Sequence, residues 1–202
     1  MKAVLICFNS KGLRKVILEF NKIYLIDTVL FSYFKYPLVI GIAKAWLNYH
    51  KEYTHVLIAS GDLVVKEKNI VRMIEISKDY AVISGVSNVE YNDFRFFNVC
   101  EEIPIKNIDY REYKWIKKEN RGIIKIKHSG FSLICIRRDI ILKDGFWESE
   151  PQISMDLNFS WHCLKNNIDI YCDTENIMLH LRHQGDFKNL DATIKENIYV
   201  KH

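Results

Sequence analysis

The stretch Thr54 to Val86, THVLIASGDLVVKEKNIVRMIEISKDYAVISGV, decides the fold. Thr54 to Ala59 is too short for a helix and apolar enough for a strand buried on both faces. Val65 to Lys78 then has the spacing of an amphipathic helix, with Ile70, Val71, Ile74 and Ile76 inward. Tyr80 to Ser84 is a second buried strand, closed by Gly85. A strand–helix–strand unit of this kind predicts a parallel sheet with both faces covered.

The pattern extends in both directions. Lys2 to Phe8 (KAVLICF) is a β-branched apolar run ending in the turn Asn9-Ser10-Lys11-Gly12. Pro37 stands where a helix can begin, and Leu38 to Tyr49 has apolar residues at helical spacing. After Ser87 the regularity is lost. Aromatic and charged residues mix through Tyr91 to Lys118, with a short helix expected near Tyr110 to Lys118. The aromatics at Phe94 to Phe97 and Tyr110 to Trp115 are expected to pack beneath this region. Ile123 to Lys127 and Phe131 to Ile136 read as strands flanking His128-Ser129-Gly130. Ser154 to Asn166 reads as a helix with Ser154 as N-cap. Ile168 to Cys172 and Ile177 to His180 read as short strands, and the tail from Gln184 is polar. These elements predict one domain over 1–202: a nucleotide-binding half (1–88), an α+β half (89–183) and a tail (184–202).

Composition narrows the functional classes. With 49% hydrophobic and 27% charged residues, 8 Gly and 3 Pro, the chain has the balance of a globular protein with a full core. A net charge of +4, spread along the length, is not the clustered basicity of a dedicated nucleic-acid binder. Lys114 to Lys127 is the thickest basic segment. It reads as a solvated loop running into a strand, or as a surface meeting anionic substrates or lipid headgroups. The five cysteines, Cys7, Cys100, Cys135, Cys163 and Cys172, have no zinc-site spacing and fit buried thiols in a reducing, cytoplasmic compartment. Tyr24 to Trp46, the most apolar region, is broken by Asp27, Lys35, Pro37 and Lys44. No transmembrane segment is therefore expected, and membrane contact would be peripheral.

Ligands of open α/β sheets bind beyond the carboxyl ends of the strands. That rule selects Cys7 to Lys11, Ser60-Gly61-Asp62 and Gly85 to Asn88. Asp62 follows a buried strand through a Ser-Gly turn, where its carboxylate serves either a hard cation with substrate phosphate oxygens or the turn and following helix cap. Asn9 and Ser10 are candidates for base or ribose contacts, or plain turn residues. Asp27 is a weaker donor-site candidate. Phe146 and Trp147 fit either an acceptor-stacking platform or the core.

With these residues in view, Thr54 to Val86 resembles the donor-binding core of GT-A glycosyltransferases, close to the family 2 type. In that family a strand ends in an acid–any–acid motif, matched here by Ser60-Gly61-Asp62 with the first acid replaced. His128-Ser129-Gly130-Phe131-Ser132-Leu133 resembles the glycine-containing segment lining the acceptor side. Ile136-Arg137-Arg138-Asp139 with Gly145-Phe146 resembles the stretch after it. Ser154-Met155-Asp156-Leu157-Asn158-Phe159 is similar to the helix start that carries the general base, with Met155 replacing the first of two acids. Asp173 to His180 (DTENIMLH) resembles the strand that delivers a metal-binding histidine. The resemblance covers Ser60 to His183 and the first strand, and extends loosely to minimal glycosyltransferases of some archaeal viruses.

The resemblance implies an α/β GT-A fold: a Rossmann-like central mixed sheet flanked by helices. It implies transfer of a sugar, with inversion, from a nucleotide-diphosphate-sugar to a hydroxyl on a glycan, protein or lipid. Asp62 would hold Mn2+ or Mg2+, with His180 as nitrogen ligand and His183 as its rival; mixed oxygen and imidazole ligation suits manganese better than calcium. Ser60 and Gly61 would line the donor beside Asn9 and Ser10. Asp156 would accept the acceptor's proton, or merely stabilise the first turn of its own helix. Two other classes compete. A GT-A protein that binds nucleotide or glycan without turnover is favoured by the replaced acids at Ser60 and Met155. An α/β nucleic-acid module is favoured only by the mild positive charge.

Overall fold

The structure is a computed structural model that describes residues 2–9, 27–32, 36–59, 63–89, 96–103, 113–147 and 153–180. Its strands are β1 (Ala3–Asn9), β2 (Asp27–Ser32), β3 (His55–Ala59), β4 (Leu63–Val64), β5 (Val82–Val89), β6 (Phe96–Glu102), β7 (Lys114–Lys117), β8 (Ile123–Ile126), β9 (His128–Ser129), β10 (Ile134–Arg137) and β11 (Ile170–His180). The helices are α1 (Tyr36–Tyr49), α2 (Glu67–Ile76), α3 (Arg138–Ile141) and α4 (Met155–Lys165).

The main sheet runs β2-β1-β3-β10-β5-β11-β4. β2, β1 and β3 are mutually parallel, β5 and β11 are parallel, and β10 lies antiparallel between β3 and β5. The sheet is therefore mixed, as the GT-A resemblance implies, and not the all-parallel sheet that strand–helix alternation alone suggests. β10 arrives from the irregular half of the chain, so nothing local in Thr54 to Val86 reveals it.

Alternation along the central strands divides the core between the two faces. Val56 and Ile58 of β3, with Ile134 and Ile136 of β10, pack on Ile40, Ala43 and Leu47 of α1 and Phe159 and Cys163 of α4. Leu57 and Ala59, with Leu133 and Cys135, pack on Ile70 and Met73 of α2. Helices on both faces explain why β3 is buried at every residue and reads as a continuous apolar run.

Several sequence readings change in detail. β5 does not stop at Gly85 but continues to Val89. A Cβ on Gly85 would stand 2.4 Å from Met178 Cε and 2.7 Å from the Asn176 carbonyl oxygen, so the glycine permits a close approach of β11 and does not end the strand. Lys114–Lys117 is a strand, not a helix, because β6 supplies its backbone partners. β2 was not anticipated, although Thr28-Val29-Leu30-Phe31 carries the strand signal. The two short strands expected after Ile168 are one long β11, with a register shift between Cys172 and Ile177. Ser154 stands at the N-cap of α4 but its side chain makes no capping bond. Phe97 and Tyr113 are buried, as expected for the mixed region.

The irregularity in β11 is held by polar side chains from α2. Asn69 Nδ2 donates to Asn176 Oδ1 at 2.6 Å, Asn176 Nδ2 donates to the Asn69 carbonyl at 3.1 Å, and Asn69 Oδ1 accepts the Lys66 N–H at 2.9 Å. Arg72 grips the fully buried Asp173 with two hydrogen bonds, at 2.5 and 3.1 Å, and also reaches Glu175 at 2.9 Å. Replacing Arg72 with Met is expected to cost about 3 kcal/mol, because it strands a buried carboxylate. That figure is at the low end for such a pair, since Arg72 is 42% exposed and water can replace part of what is lost. Urea denaturation checks it, and a change below about 1 kcal/mol would mean the pair is worth no more than a surface ion pair.

No helix among the described residues is long and apolar enough to cross a membrane. Cys100, Cys135, Cys163 and Cys172 are free and buried, as their spacing suggested. Burial pushes the Cys135 thiol up to about 12, so it stays protonated and inert.

Candidate functional site

The parallel strands β1, β2, β3, β5 and β11 all point one way, so Asn9, Ser32, Ala59, Val89 and His180 lie at one edge of the sheet. That is the edge where the strand-end rule places ligands. Asn9 of the candidate donor set stands there by its backbone. Ser10, Ser60, Gly61, Asp62 and His183 lie outside the described residues. Asp27 pairs with Val4 at the start of β1 and β2, so its backbone stands at the opposite edge of the sheet, away from the strand ends that the rule selects.

The segment after Asp62 is informative. Leu63 and Val64 form β4, antiparallel to the end of β11, with His180 paired to Leu63 and Leu179 to Val64. A single peptide unit, about 3.8 Å between Cα atoms, joins Leu63 to Asp62. Leu63 and His180, 117 positions apart in sequence, thus meet at one corner of that edge. Among the described side chains there is no cluster of three or more His, Cys, Asp or Glu able to hold a metal.

Asp156 lies in the first turn of α4, half-buried, where the helix dipole favours a carboxylate. Its Oδ1 accepts the Leu157 N–H at 2.9 Å. Its carbonyl oxygen accepts the Ser160 hydroxyl at 2.8 Å, and Ser160 Oγ is 2.9 Å from His128 Nδ1. His128 is 3% exposed; burial holds its imidazole below the ordinary range, and the Asp156 charge acts against that shift. The same carboxylate adds to the burial that raises the Cys100 thiol.

In the segment that the resemblance sets on the acceptor side, the His128 and Ser129 side chains are buried. The segment is a buried joint. His128 reaches α4 through Ser160, and Ser129 Oγ meets Ser84 Oγ of β5 at 2.6 Å. Gly130 donates its N–H to the Asn98 carbonyl at 2.9 Å, and a Cβ there would stand 2.9 Å from Asn98 Nδ2. Asn98 Oδ1 accepts the Ser87 N–H at 2.8 Å, and Ser132 donates to Ser87 Oγ at 3.0 Å. These bonds tie α4 to the half of β5 that pairs with β11, where Ser87 stands opposite Met178.

Phe146 and Trp147 are each 1% exposed. Their rings meet Phe159 edge-on at 5.7 and 5.0 Å, and Trp147 Nε1 donates to the Met155 carbonyl at 3.2 Å. They are core residues supporting α4 and not a stacking platform. Sequence reasoning missed His128 as an individual residue, together with the Asn69–Asn176 and Arg72–Asp173 links. Their partners lie 32 to more than 100 residues away, and no local pattern marks them.

The fold is shared with solved structures that are distant in sequence. The A197 protein from STIV matches with a TM-score of 0.57 at 14% identity, over 91% of this chain and 96% of its own. CMP:2-keto-3-deoxy-manno-octonic acid synthetase, complexed with CTP, matches with a TM-score of 0.56 at 11% identity, over 98% of this chain and 100% of its own. GalNAc-T7, solved with UDP, GalNAc and Mn2+, matches with a TM-score of 0.55 at 10% identity, over 91% of this chain and 44% of its own. No family model and no curated protein matches the sequence. Together with the strand order, these likenesses establish the GT-A-like mixed α/β fold.

Proposed function

We propose that the protein is a metal-dependent glycosyltransferase that moves a sugar, with inversion, from a nucleotide-diphosphate-sugar to a hydroxyl acceptor. The observation that carries this reading is the β4–β11 pairing, which sets His180 against the residue following Asp62 at the ligand edge of the sheet. The fold supports it, since proteins of this fold include one solved with UDP, GalNAc and Mn2+ and one solved with CTP.

Asp62 and His180 would hold Mn2+ or Mg2+. A divalent cation held there would supply positive charge to the departing diphosphate. Asn9, with Ser10, Ser60 and Gly61, would contact the nucleotide. Asp156 takes the proton from the acceptor hydroxyl as that oxygen bonds to the anomeric carbon and the bond from that carbon to the diphosphate breaks. Direct displacement by an oxygen deprotonated on the opposite face inverts the anomeric centre.

The test is a panel of nucleotide-sugars, each with and without Mn2+, assayed for release of the nucleoside diphosphate and for sugar transfer. Release that requires the metal supports the reading. Metal-dependent nucleotide binding with no release from any donor would favour the binding-only alternative, to which the replaced acids at Ser60 and Met155 point. Pyrophosphate release from a nucleoside triphosphate and a sugar would instead place the chain with nucleotidyl transferases.

A further inference from the structure

We propose that His128 is a positioning residue for Asp156, donating from Nδ1 to Ser160 so that the first turn of α4 is fixed against β9. The proposal rests on the reading of Asp156 as base, and assigns a role to a buried imidazole that the reaction itself does not use.

The geometry sets the proton positions. Ser160 has one hydroxyl proton, and it is committed to the Asp156 carbonyl four residues earlier at 2.8 Å. Ser160 Oγ can then only accept from His128, 2.9 Å away, which places the imidazole proton on Nδ1. A buried donor–acceptor chain with every member engaged is rigid, because breaking one link leaves a polar atom unsatisfied away from water. The chain ends on the backbone of Asp156 itself, so movement of the ring moves the base.

The ring's surroundings favour the neutral form. Cys100 is its ladder partner on β6, a thiol kept protonated by burial. Tyr113 presents its ring edge-on at 6.0 Å. From α4, the Asp156 carboxylate alone supplies an opposite charge among the described residues. On acidification the ring gains its proton against burial and with help from that carboxylate. The imidazolium then competes for the charge that the acceptor hydroxyl needs.

Two measurements test this, and the first needs no activity. The His128 Cε1–H resonance is followed through a pH titration in the wild type and in Asp156→Asn. A midpoint below the ordinary histidine range, moving lower still in the variant, is expected. The ring 15N shifts of the neutral form then show which nitrogen carries the proton, and a proton on Nε2 instead of Nδ1 would overturn the proposal whether or not any donor is turned over. The second compares His128→Asn, whose amide N–H can replace Nδ1–H, with His128→Gln and His128→Leu, which cannot replace it. The Asn variant should keep most of the turnover. The other two should lose about 100-fold in kcat, the scale of a misplaced catalytic group, with KM changed by only a few fold. Folded variants that all lose turnover alike, Asn included, would overturn the hydrogen-bonding role. Should the donor panel show no turnover at all, the reading of Asp156 fails while the ring 15N shifts still decide the contact.

Discussion

Asp156→Asn is expected to lower kcat by about two to four orders of magnitude while leaving KM within a few fold of the wild type. Asparagine has nearly the shape of aspartate, and its amide oxygen can still accept the Leu157 N–H that Asp156 Oδ1 now accepts at 2.9 Å. The Ser160 hydroxyl bonds the carbonyl of residue 156, which the substitution does not touch. The helix start therefore survives and only the ability to take a proton is lost. The rival role, a first-turn acid that steadies its own helix, makes a different forecast. Removing one charge at a partly buried helix N-terminus costs at most about 2 kcal/mol of stability and has no reason to affect turnover. A variant that keeps more than a tenth of the wild-type kcat would show that Asp156 is such an acid. Single-turnover kinetics with saturating donor measures the step directly, since it excludes product release.

The sequence carried the first half of the sheet because its physics is local. A strand covered by helices on both faces must be apolar at every position, and Thr54 to Ala59 announces that without help from the rest of the chain. The rule that ligands bind beyond the carboxyl ends of the strands fixed which ends to search, and the backbones of Asn9 and His180 do stand at that edge. Three things were not legible. The antiparallel β10 owes its place to β3 and β5 on either side, so its direction is set by tertiary pairing. Gly85 looked like a stop signal because glycine usually punctuates strands, whereas here β11 needs the missing Cβ. His128-Ser129-Gly130 matched the outline of a cleft-lining segment. Whether such residues line a cleft or sit beneath it depends on Ser84, Asn98 and Ser160, none of which is adjacent in sequence. The resemblance placed Asp156 correctly in the first turn of α4 but could not reveal the buried polar chain under it.

The corner formed by β4 and β11 yields the second large effect. Asp62→Ala and His180→Ala are each expected to abolish metal-dependent nucleotide binding, and the double variant to be no weaker than the weaker single one. An antiparallel pair holds directly opposite Cα atoms about 4.5 to 5.5 Å apart, and His180 is paired with Leu63. The Asn69–Asn176 amides and the Arg72–Asp173 pair pin β11 just before this point, so the register of His180 is not free to slip. Two ligands of one cation act as a unit, and once either is lost the other contributes little; ligands of separate sites would instead add within about 0.5 kcal/mol. Titration of Mn2+ in the presence of a nucleoside diphosphate, read by the paramagnetic signal of the free ion, gives the affinities. If His180→Ala binds like the wild type while Asp62→Ala does not, the nitrogen ligand is elsewhere. His183→Ala then becomes the deciding variant. If Asp62→Ala binds like the wild type, the pairing of β4 with β11 serves only the sheet, and the donor must be held by other residues of the strand-end edge.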